Sequence, residues 1–483
     1  MSTAIVWLRR DLRLADNPAL DHACRAHQYV VVLYVLAEHE AAPWQAGAAS
    51  RVWLHHSLRA LAGALGERGG CLVLRRGDSL AVLQALVAET QAGAVYWNRG
   101  YEPALSARDA DIKHALRAAG LEAHSFPASL LNEPWDVRTG NGDPYRVFTP
   151  YWKSVSRRPV AAPHPAPLTV LAPLRRPRSE ALDDWPLLPC IPWAAGIEAA
   201  WNPGEAGARG RLLEFLDEGL FDYADARNLP AAPAVSRLSP HLHFGEISPR
   251  QVWWAVANRC GGQPLESRGG EAFLRELGWR EFAAHVLWHH PDSPQRPLQA
   301  RFDAYPWAED YAPALAAWQQ GRTGYPLVDA GMRELWTTGW MHNRVRMLCA
   351  SFLVKNLRIP WQEGARWFWD TLVDADLASN TLGWQWTAGC GVDAAPYFRV
   401  FSPLRQGEQF DAGGDYVRRW LPELKAVPTK YIHAPWTLPA AETARCCFKP
   451  GAGYPLPIVD FASSRAQALA GFERIKGERG LSA

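Results

Sequence analysis

Two hydrophobic periods alternate along the first part of the chain. Short runs of apolar, often β-branched residues predict strands at Ala4–Leu8, Val30–Leu36, Cys71–Leu74, Ala94–Trp97 and Leu121–Phe126. Longer segments with helical spacing lie between them and predict helices at Arg51–Leu65, Ser79–Glu89 and Leu105–Ala119. This alternation is typical of a parallel sheet covered by helices. It predicts a Rossmann-like α/β domain over residues 1–130, although no glycine-rich dinucleotide or P-loop fingerprint is present.

The pattern changes after residue 130. Nine prolines lie between Arg158 and Trp193, a density that disfavours both helix and central strand. We therefore predict a Pro-rich interdomain linker over residues 131–205 and interpret it as a solvated connector. Residues 206–483 are predicted to form a large all-helical domain, with helices at Arg209–Glu218, Pro249–Asn258, Gly270–Trp288, Ala312–Gln320, Pro326–Thr337, Asn343–Asn356 and Trp361–Thr371.

Charge and cysteine content exclude several classes of protein. The 483 residues contain 51 Lys and Arg against 49 Asp and Glu, so binding to nucleic acid would need a local basic groove. The eight cysteines form no CxxC motif, which predicts reduced thiols in a cytoplasmic protein. No apolar stretch is long enough for a membrane span. The 24 tryptophans are an unusual number and indicate use in the core, as a stacking surface or as a redox relay.

Two segments combine polar groups that suit a nucleotide or a flat ring. In Val235–Ser239 two hydroxyls precede a predicted helix, where they can cap the helix or hold a phosphate. Glu276 and Arg280 are four residues apart on a predicted helix and can form an ion pair. Trp279 lies beside them, and an aromatic plate next to a carboxylate suits a flat heterocycle. A core tryptophan beside an ordinary ion pair is the alternative.

Two further segments can likewise be interpreted either as part of a binding site or as ordinary structure. Asn343, Arg344, Arg346 and Met347 bring an amide, two guanidinium groups and a thioether to one helix start, which is unusual for a core. Asp374 and Asp376 precede Trp384 and Trp386. These carboxylates can hold ribose hydroxyls or imide N–H groups, or lie in a solvated loop. No matching histidine or carboxylate cluster supports a metal site, and none is predicted.

Together these segments resemble the DNA photolyase/cryptochrome family, and in particular class I cyclobutane pyrimidine dimer photolyases. The resemblance covers nearly the whole chain and rests on motifs in the family's order, at Val6–Asn17, Trp318–Asp329, Trp340–Met347, Asp374–Trp386 and Asp393–Phe398. It implies a protein that repairs cyclobutane pyrimidine dimers in DNA by light-driven electron transfer from reduced FAD to the flipped-out dimer. The alternative is a cryptochrome-like blue-light photoreceptor without repair activity.

The resemblance also implies the cofactor site and its electron supply. Residues at the family's FAD-binding positions are Tyr223, Val235, Ser236, Arg237, Leu238, Ser239, Glu276, Arg346, Asp374, Asp376 and Asn380. Val235 stands where the family usually has threonine, so one hydroxyl is missing. Trp384, Trp361 and Trp307 match the relay that reduces the flavin. A second antenna chromophore is expected in the N-terminal domain, and a deazaflavin, a second flavin or an empty site all stay open. Folate is disfavoured by Ala104 and Leu105.

The DNA-binding residues follow from the same resemblance. Glu276 and Asn343 match the groups that meet the polar edges of the dimer, and Asn343 with Met347 matches the cyclobutane-dimer type. Trp279 and Trp386 are expected to sandwich the apolar rings. The full set predicted to contact DNA is Arg227, Glu276, Trp279, Arg280, Asn343, Arg344, Met347, Trp386, Arg399 and Gln406. The protein is expected to act as a monomer without a membrane partner.

Overall fold

The chain forms two compact units that interleave along the sequence. The structure is a computed structural model and describes residues 2–393 and 398–477. Unit 1 comprises Met1–Ala224, Ser236–Pro291 and Val373–Ala378, and unit 2 comprises Asp225–Val235, Asp292–Leu372 and Ser379–Ala483. The predicted domains are consecutive segments instead, so their boundaries at residues 130 and 205 stay a prediction. Within the predicted motif Asp393–Phe398, residues 394–397 lie outside the described part of the chain.

A parallel sheet forms the centre of unit 1 and confirms the predicted α/β fold class. Its strands are β1 (Thr3–Leu8), β2 (Tyr29–Leu36), β3 (Leu72–Arg76), β4 (Ala94–Asn98) and β5 (Glu122–Phe126). All neighbouring pairs are parallel, in the order β3-β2-β1-β4-β5. Every residue of β1 is buried, because a central parallel strand has helices on both faces.

Helices make up most of the remaining described residues. Unit 1 contains α1 (Pro18–Ala26), α2 (Ala48–Gly66), α3 (Ser79–Thr90), α4 (Pro103–Ala118), α5 (Phe148–Val155), α6 (Ala195–Ala200), α7 (Glu205–Glu218), the start of α8 (Tyr223–Ala226), α9 (Ser239–His243), α10 (Pro249–Arg259) and α11 (Arg268–His289). Unit 2 contains α12 (Ala312–Gln319), α13 (Pro326–Thr338), α14 (Asn343–Ser351), α15 (Trp361–Thr371), most of α16 (Leu377–Ala388), α17 (Pro403–Phe410), α18 (Asp415–Trp420), α19 (Ala440–Cys446) and α20 (Phe461–Gly477). The predicted mainly helical C-terminal region is thereby confirmed.

Local polar groups explain where several helices begin. The Ser248 side chain accepts from the Gln251 backbone N–H, while the Gln251 side chain accepts from the Ser248 N–H, so α10 starts in a reciprocal capping box. The helix predicted over Asn343–Asn356 changes character after Ser351, because Phe352–Asn356 form a π-helical turn. A widened turn of this kind is frequent at functional sites.

The Pro-rich segment over residues 131–205 is more than the solvated connector that its sequence predicts. It contains α5, and it buries Val170, Trp185 and Trp201 within unit 1. Glu205 at its end accepts from the backbone N–H groups of Leu14 and Ala15. Proline prevents regular secondary structure but not burial of the side chains between the prolines. Leu168 and Leu174 are almost fully exposed, so only part of the segment matches the prediction.

Other sequence predictions concern cysteines and membranes. All eight cysteines are free, as the spacing predicted. Among the described residues, none of the helices combines the length and the apolar character that crossing a membrane requires.

A buried carboxylate organises the start of α13. Asp329 is fully buried and accepts from the backbone N–H groups of Thr323 at 2.7 Å and Gly324 at 2.9 Å. The hydroxyls of Thr323 and Tyr454 also donate to it, both at 2.7 Å. Four donors converge on one carboxylate, so they compensate the cost of burying it. The contact joins α13 to the chain that precedes α20.

We expect Asp329→Asn to destabilise the protein by about 1–3 kcal/mol, because the new amide N–H groups would face buried donors. Chemical denaturation followed by circular dichroism measures the change. Asp310→Asn, at an exposed aspartate of the same unit, is the matched control and should leave the midpoint unchanged. Equal midpoints for both variants would contradict this role of Asp329.

Candidate functional site

The start of α14 brings together an amide, a thioether and a group of arginines in unit 2. Asn343 is exposed, and its Nδ2 lies 4.0 Å from the Sδ of Met347, one helical turn away. His342 caps the helix, since its Nδ1 accepts from the Arg344 backbone N–H at 3.2 Å. The predicted neighbourhood of Asn343 and Met347 is therefore present in the structure.

Three of the arginines predicted to contact DNA lie close together in unit 2. Burial lowers the pKa of Arg344, and the positive charges of Arg227 and Arg399 lower it further. The Arg344 guanidinium donates to Oδ1 of Asn228 at 2.6 Å and stacks 4.6 Å from the centre of the Phe410 ring. We call Arg227, Arg344 and Arg399 the arginine cluster. Mutually repelling cations held in one place are suited to an anionic partner.

Arg399 is an exposed member of the arginine cluster, whereas Gln406, which is also predicted to contact DNA, is buried. Arg399 is exposed, its guanidinium lies over Phe401, and its carbonyl accepts from the Lys355 Nζ at 2.6 Å. Burial lowers the pKa of Lys355 to about 7. Gln406 is only 7% exposed, which leaves little of it available to a DNA backbone. The structure thus favours Arg399 over Gln406 as a phosphate contact.

The Trp279 ring, which is predicted to stack on a ring of the dimer, is itself stacked on a phenylalanine ring of unit 1. Trp279 on α11 stacks on Phe148 of α5, with 3.7 Å between ring centres and an interplanar angle of 11°. Phe148 is buried, whereas Trp279 is half-buried. One face of Trp279 is therefore covered by protein. Trp386, its predicted counterpart, is half-buried in unit 2, so the sandwich of dimer rings stays a prediction.

Arg280, which is predicted to contact DNA, is engaged by backbone carbonyl groups of unit 1. Its guanidinium donates to the carbonyl of Ser129 at 2.6 Å and to that of Leu242 at 3.5 Å. It also lines a cavity of about 90 Å³ inside unit 1. A guanidinium engaged by backbone carbonyls in a cavity is poorly available to DNA, so the predicted DNA contact finds no support in this arrangement.

This cavity, which we call the sheet-edge cavity, lies at the carboxyl ends of β1 and β4. Arg9, Arg10 and Asp11 follow β1, and Arg99–Glu102 follow β4. In the order β3-β2-β1-β4-β5 these two strands flank the point where the chain changes direction across the sheet, which is where open α/β sheets bind ligands. The other lining residues are Asn98, Leu105, Arg108, Ser129, Leu130, His243, Arg280, Ala284, Leu287, Asp376 and Ala378.

Charge and close packing shape the sheet-edge cavity. Arg10 forms an ion pair with Glu102, and although burial opposes it, the charges of Glu102 and Asp376 raise the pKa of Arg10. Burial and the nearby Arg10 lower the pKa of His243. Gly245 has φ +67°, and a Cβ there would lie 2.1 Å from the Arg10 carbonyl oxygen, so only glycine permits this approach.

The three predicted relay tryptophans all belong to unit 2. Trp384 and Trp361 are 3% and 2% exposed, whereas Trp307 is half-buried. A Cβ at Gly364 would lie 2.0 Å from the Trp384 ring, so this indole rests directly on the backbone of α15, the helix that begins at Trp361. The Ala308 N–H donates to the Arg358 carbonyl at 2.8 Å, which ties the segment of Trp307 to the start of the same helix.

Asn380 lies on the same side of α16 as Trp384, four residues earlier. Its Nδ2 donates to the carbonyl of Ala365 at 3.0 Å, next to Gly364. The amide and the first relay indole therefore both contact α15.

The predicted FAD-binding residues fall in both units. Tyr223, Ser236, Arg237, Leu238, Ser239, Glu276, Asp374 and Asp376 belong to unit 1, and Val235, Arg346 and Asn380 belong to unit 2. Their chemistry fits FAD, because guanidinium groups and hydroxyls suit a pyrophosphate, carboxylates suit ribose, and an amide suits the flavin edge. Arg237 has φ +52°, an uncommon backbone conformation that persists where the surroundings impose it. The assembled pocket stays a prediction.

Sequence reasoning missed Phe148, Asn228 and the residues of the sheet-edge cavity. Phe148 lies in the predicted linker, and no local signal connects it to Trp279. Asn228 lies more than one hundred residues before Arg344, its partner. The cavity did leave a signal, since charged residues follow both β1 and β4 directly, and parallel strands bring their carboxyl ends to one edge.

Comparisons with known proteins identify the family. Residues 4–168 match the family model for DNA photolyase, and residues 273–474 match that for the FAD binding domain of DNA photolyase. A deoxyribodipyrimidine photo-lyase of Agrobacterium fabrum is 47% identical over 98% of each chain. Cryptochrome-1 of Arabidopsis thaliana is 40% identical over 96% of this chain and 69% of its own.

Solved structures agree with these matches. A bacterial class III photolyase from Agrobacterium tumefaciens has a TM-score of 0.94 at 46% identity, covering 99% of this chain and 98% of its own. An archaeal photolyase from Sulfolobus tokodaii with two FAD molecules has a TM-score of 0.79 at 29% identity, over 98% of this chain and 100% of its own. The expected likeness to class I gives way to likeness to class III. The chain belongs to the DNA photolyase family and carries the FAD-binding domain of a DNA-repair photolyase.

Proposed function

We propose that this photolyase repairs cyclobutane pyrimidine dimers in DNA by light-driven electron transfer. The observation that carries the proposal is the start of α14, where Asn343 and Met347 are in contact beside the arginine cluster. An amide can meet the carbonyl and N–H edges of a fused pyrimidine pair, while a thioether offers an apolar, polarisable contact. Neither group donates a proton readily, which suits a reaction that splits carbon–carbon bonds without acid catalysis.

The arginine cluster would hold the DNA backbone while the damaged bases leave the duplex. Phosphate contacts fix the position of the duplex but carry no sequence information, which suits a repair enzyme that acts at any site. Extruding bases costs a few kcal/mol, and less for damaged, poorly stacked bases. Trp279, backed by Phe148, would then offer its uncovered face to one extruded ring.

Reduced FAD, when bound, supplies the electron that opens the cyclobutane ring under light and takes it back afterwards. Trp384, Trp361 and Trp307 would maintain the reduced cofactor. Trp384 and Trp361 are buried and Trp307 is half-buried, which suits a path that leads from an interior cofactor to an external reductant. Asn380 would meet the flavin edge from α16.

The photoreceptor alternative is less well supported. The photolyase of Agrobacterium fabrum is 47% identical to this chain, whereas cryptochrome-1 is 40% identical. The groups that would meet a dimer, Asn343, Met347, Glu276 and Trp279, are all present here.

We further propose that the sheet-edge cavity holds the second antenna chromophore. It lies at the carboxyl ends of β1 and β4, where open α/β sheets bind ligands, and its wall combines charged side chains with the apolar side chains of Leu105, Leu130 and Leu287. The Sulfolobus relative with two FAD molecules supports a flavin as one candidate, and a deazaflavin is the other. A reducing, cytoplasmic location and a monomeric state complete the proposal, consistent with eight free cysteines.

Denaturing the purified protein should release FAD in about a one-to-one ratio to the chain. A second chromophore, if the sheet-edge cavity holds one, should appear in the same extract by absorbance and mass spectrometry. Arg10→Leu should lower the yield of the second chromophore and leave the FAD ratio unchanged. Loss of FAD without loss of the second chromophore would contradict the assignment of the cavity.

Trp384→Phe should block light-driven reduction of oxidised FAD by an external thiol, because phenylalanine is far harder to oxidise than tryptophan. Repair by chemically reduced enzyme should survive, since the relay does not touch the lesion. Absorbance spectra under illumination measure the first activity, and recovery of pyrimidine absorbance in a thymine-dimer oligonucleotide measures the second. Trp420→Phe in the same unit is the matched control. If both activities vanish together, Trp384 is structural.

Trp279→Ala should reduce the preference for dimer-containing over intact DNA by about ten-fold or more, since one stacking plate contributes about 1–3 kcal/mol. Arg399→Ala should instead weaken binding to both DNAs and flatten the salt dependence, because one phosphate contact is lost. Titrations against matched lesion and control duplexes measure both effects. Arg445→Ala removes an exposed arginine of the same unit and serves as control. Equal weakening of both DNAs by Trp279→Ala would remove Trp279 from the lesion pocket.

A further inference from the structure

A lysine is buried without an acidic partner in the π-helical turn that follows α14. Lys355 is 3% exposed, and no carboxylate among residues 2–393 and 398–477 forms an ion pair with its Nζ. Burying an ammonium group that lacks a counter-charge is costly, so packing alone would favour an apolar side chain at this position. The contacts of the ammonium group therefore indicate its role.

These contacts hold a short segment of unit 2 against the end of α14. The Lys355 Nζ donates to the carbonyl of Arg399 at 2.6 Å and lies 3.9 Å from the centre of the Phe398 ring. One helical turn earlier, the Oγ of Ser351 accepts from the Phe401 backbone N–H at 3.3 Å. Both ends of the segment 398–401 are therefore attached to α14 and its π-helical turn.

The same helix carries another member of the arginine cluster at its start. Burial and the positive charges of Arg227 and Arg399 lower the pKa of Arg344, in the first turn of α14. The Arg399 guanidinium is exposed and lies 4.6 Å from the centre of the Phe401 ring. Within the described part of the chain, it forms neither a hydrogen bond nor an ion pair. Its place therefore depends on its own main chain and on Phe401, which α14 and the π-helical turn hold.

We propose that Lys355 is a positioning residue for DNA binding, acting through the main chain of Arg399. It keeps the segment that carries this guanidinium attached to α14, beside Arg344, before DNA arrives. Lys355 itself is too deeply buried to meet a phosphate. The inference rests on the proposed contact between Arg399 and the DNA backbone, and it adds a residue that lies beneath that contact. Preorganisation of this kind lowers the cost of ordering a surface segment when a partner binds.

The affinity of the FAD-loaded protein for DNA duplexes tests the proposal. Lys355→Met keeps a long side chain and removes the ammonium group. It should weaken binding to lesion-containing and intact duplexes alike by about five-fold, which corresponds to the loss of one hydrogen bond. In a background that already carries Arg399→Ala, the same substitution should change affinity less than about two-fold, because coupled residues do not act additively. An equal effect in both backgrounds would overturn the proposal, since Lys355 would then act without Arg399.

Two control variants separate this role from general damage to the fold. Asn356→Ala shortens the neighbouring buried side chain of the same π-helical turn, whose Nδ2 donates to the Oγ of Ser464 on α20 at 2.9 Å. Lys476→Met removes an exposed lysine of the same unit, which pairs with Glu473. Both variants should bind either duplex as the unmodified protein does. If Asn356→Ala weakens DNA binding as much as Lys355→Met, the turn is merely structural and the proposal is wrong.

A pH titration tests the same contact without altering Lys355, so it decides the matter even if Lys355→Met does not fold. Burial lowers the pKa of Lys355 to about 7. The titratable group that acts on it is the thiol of Cys390, whose own pKa burial raises to about 12, so this thiol keeps its proton near neutral pH. As the pH rises from about 6 to about 8.5, the ammonium becomes an amine, which donates less strongly to a carbonyl.

The affinity of the unmodified protein for DNA should therefore fall over this pH range. Arg399→Ala should lose that part of the pH dependence, because the segment held by Lys355 then carries no guanidinium. Groups that titrate elsewhere in the protein contribute equally to both profiles. Identical pH profiles for the two proteins would overturn the proposal.

The proposed function fails in a different way. If Arg399→Ala leaves the affinity for both duplexes and its salt dependence unchanged, Arg399 does not contact DNA, and both the contact and the inference fall. If Arg399→Ala weakens binding but Lys355→Met does not, the contact stands and only the inference falls.

Discussion

Contact between a guanidinium face and an aromatic ring recurs at several of the arginines that are predicted to bind ligands. Arg237 lies over Trp201, Arg344 over Phe410, Arg399 over Phe401 and Arg346 over Trp340. Arg9 and Arg108, which line the sheet-edge cavity, lie over Trp7 and also form ion pairs with Asp109. The contact orients a long cationic side chain through the flat face of its guanidinium group. It also gives one reason for a chain with 24 tryptophans and a formal net charge of only +2.

Other aromatic residues, in unit 2, pack closely around the first tryptophan of the predicted electron relay. Trp384 lies against α15 because Gly364 lacks a side chain, and Phe368 packs edge-on against it with 5.0 Å between ring centres. Trp318 contacts both rings and donates from its indole to the Cys349 carbonyl at 3.0 Å. Close packing limits rotamer changes, so the relative positions of such rings are preserved. A relay residue in this setting is at once part of the core and part of the chemistry.

The Pro-rich segment illustrates how irregular chain can serve both fold and function. It provides Phe148 behind Trp279 and Trp201 behind Arg237, two supports for residues predicted to bind ligands. Proline reduces the conformational freedom of the unfolded chain, which makes an extended segment less costly to order. Sequence periodicity cannot predict which residues of such a segment are buried, because they follow no repeat of two or 3.6 positions.

The sequence by itself determined the strands and helices with strong periodicity, the parallel sheet, the helical C-terminal region and the family, because these depend on local patterns and on long motifs. It also brought Asn343 and Met347 together, since one helical turn separates them. Tertiary structure decided the rest. It turned Arg280 towards backbone carbonyls, buried Gln406, gathered Arg227, Arg344 and Arg399, and supplied Phe148, Trp201 and Asn228 from distant segments. The physical reason is that burial and the choice of partner for a long side chain depend on which segments pack around it, and periodicity along a single chain carries no record of that packing.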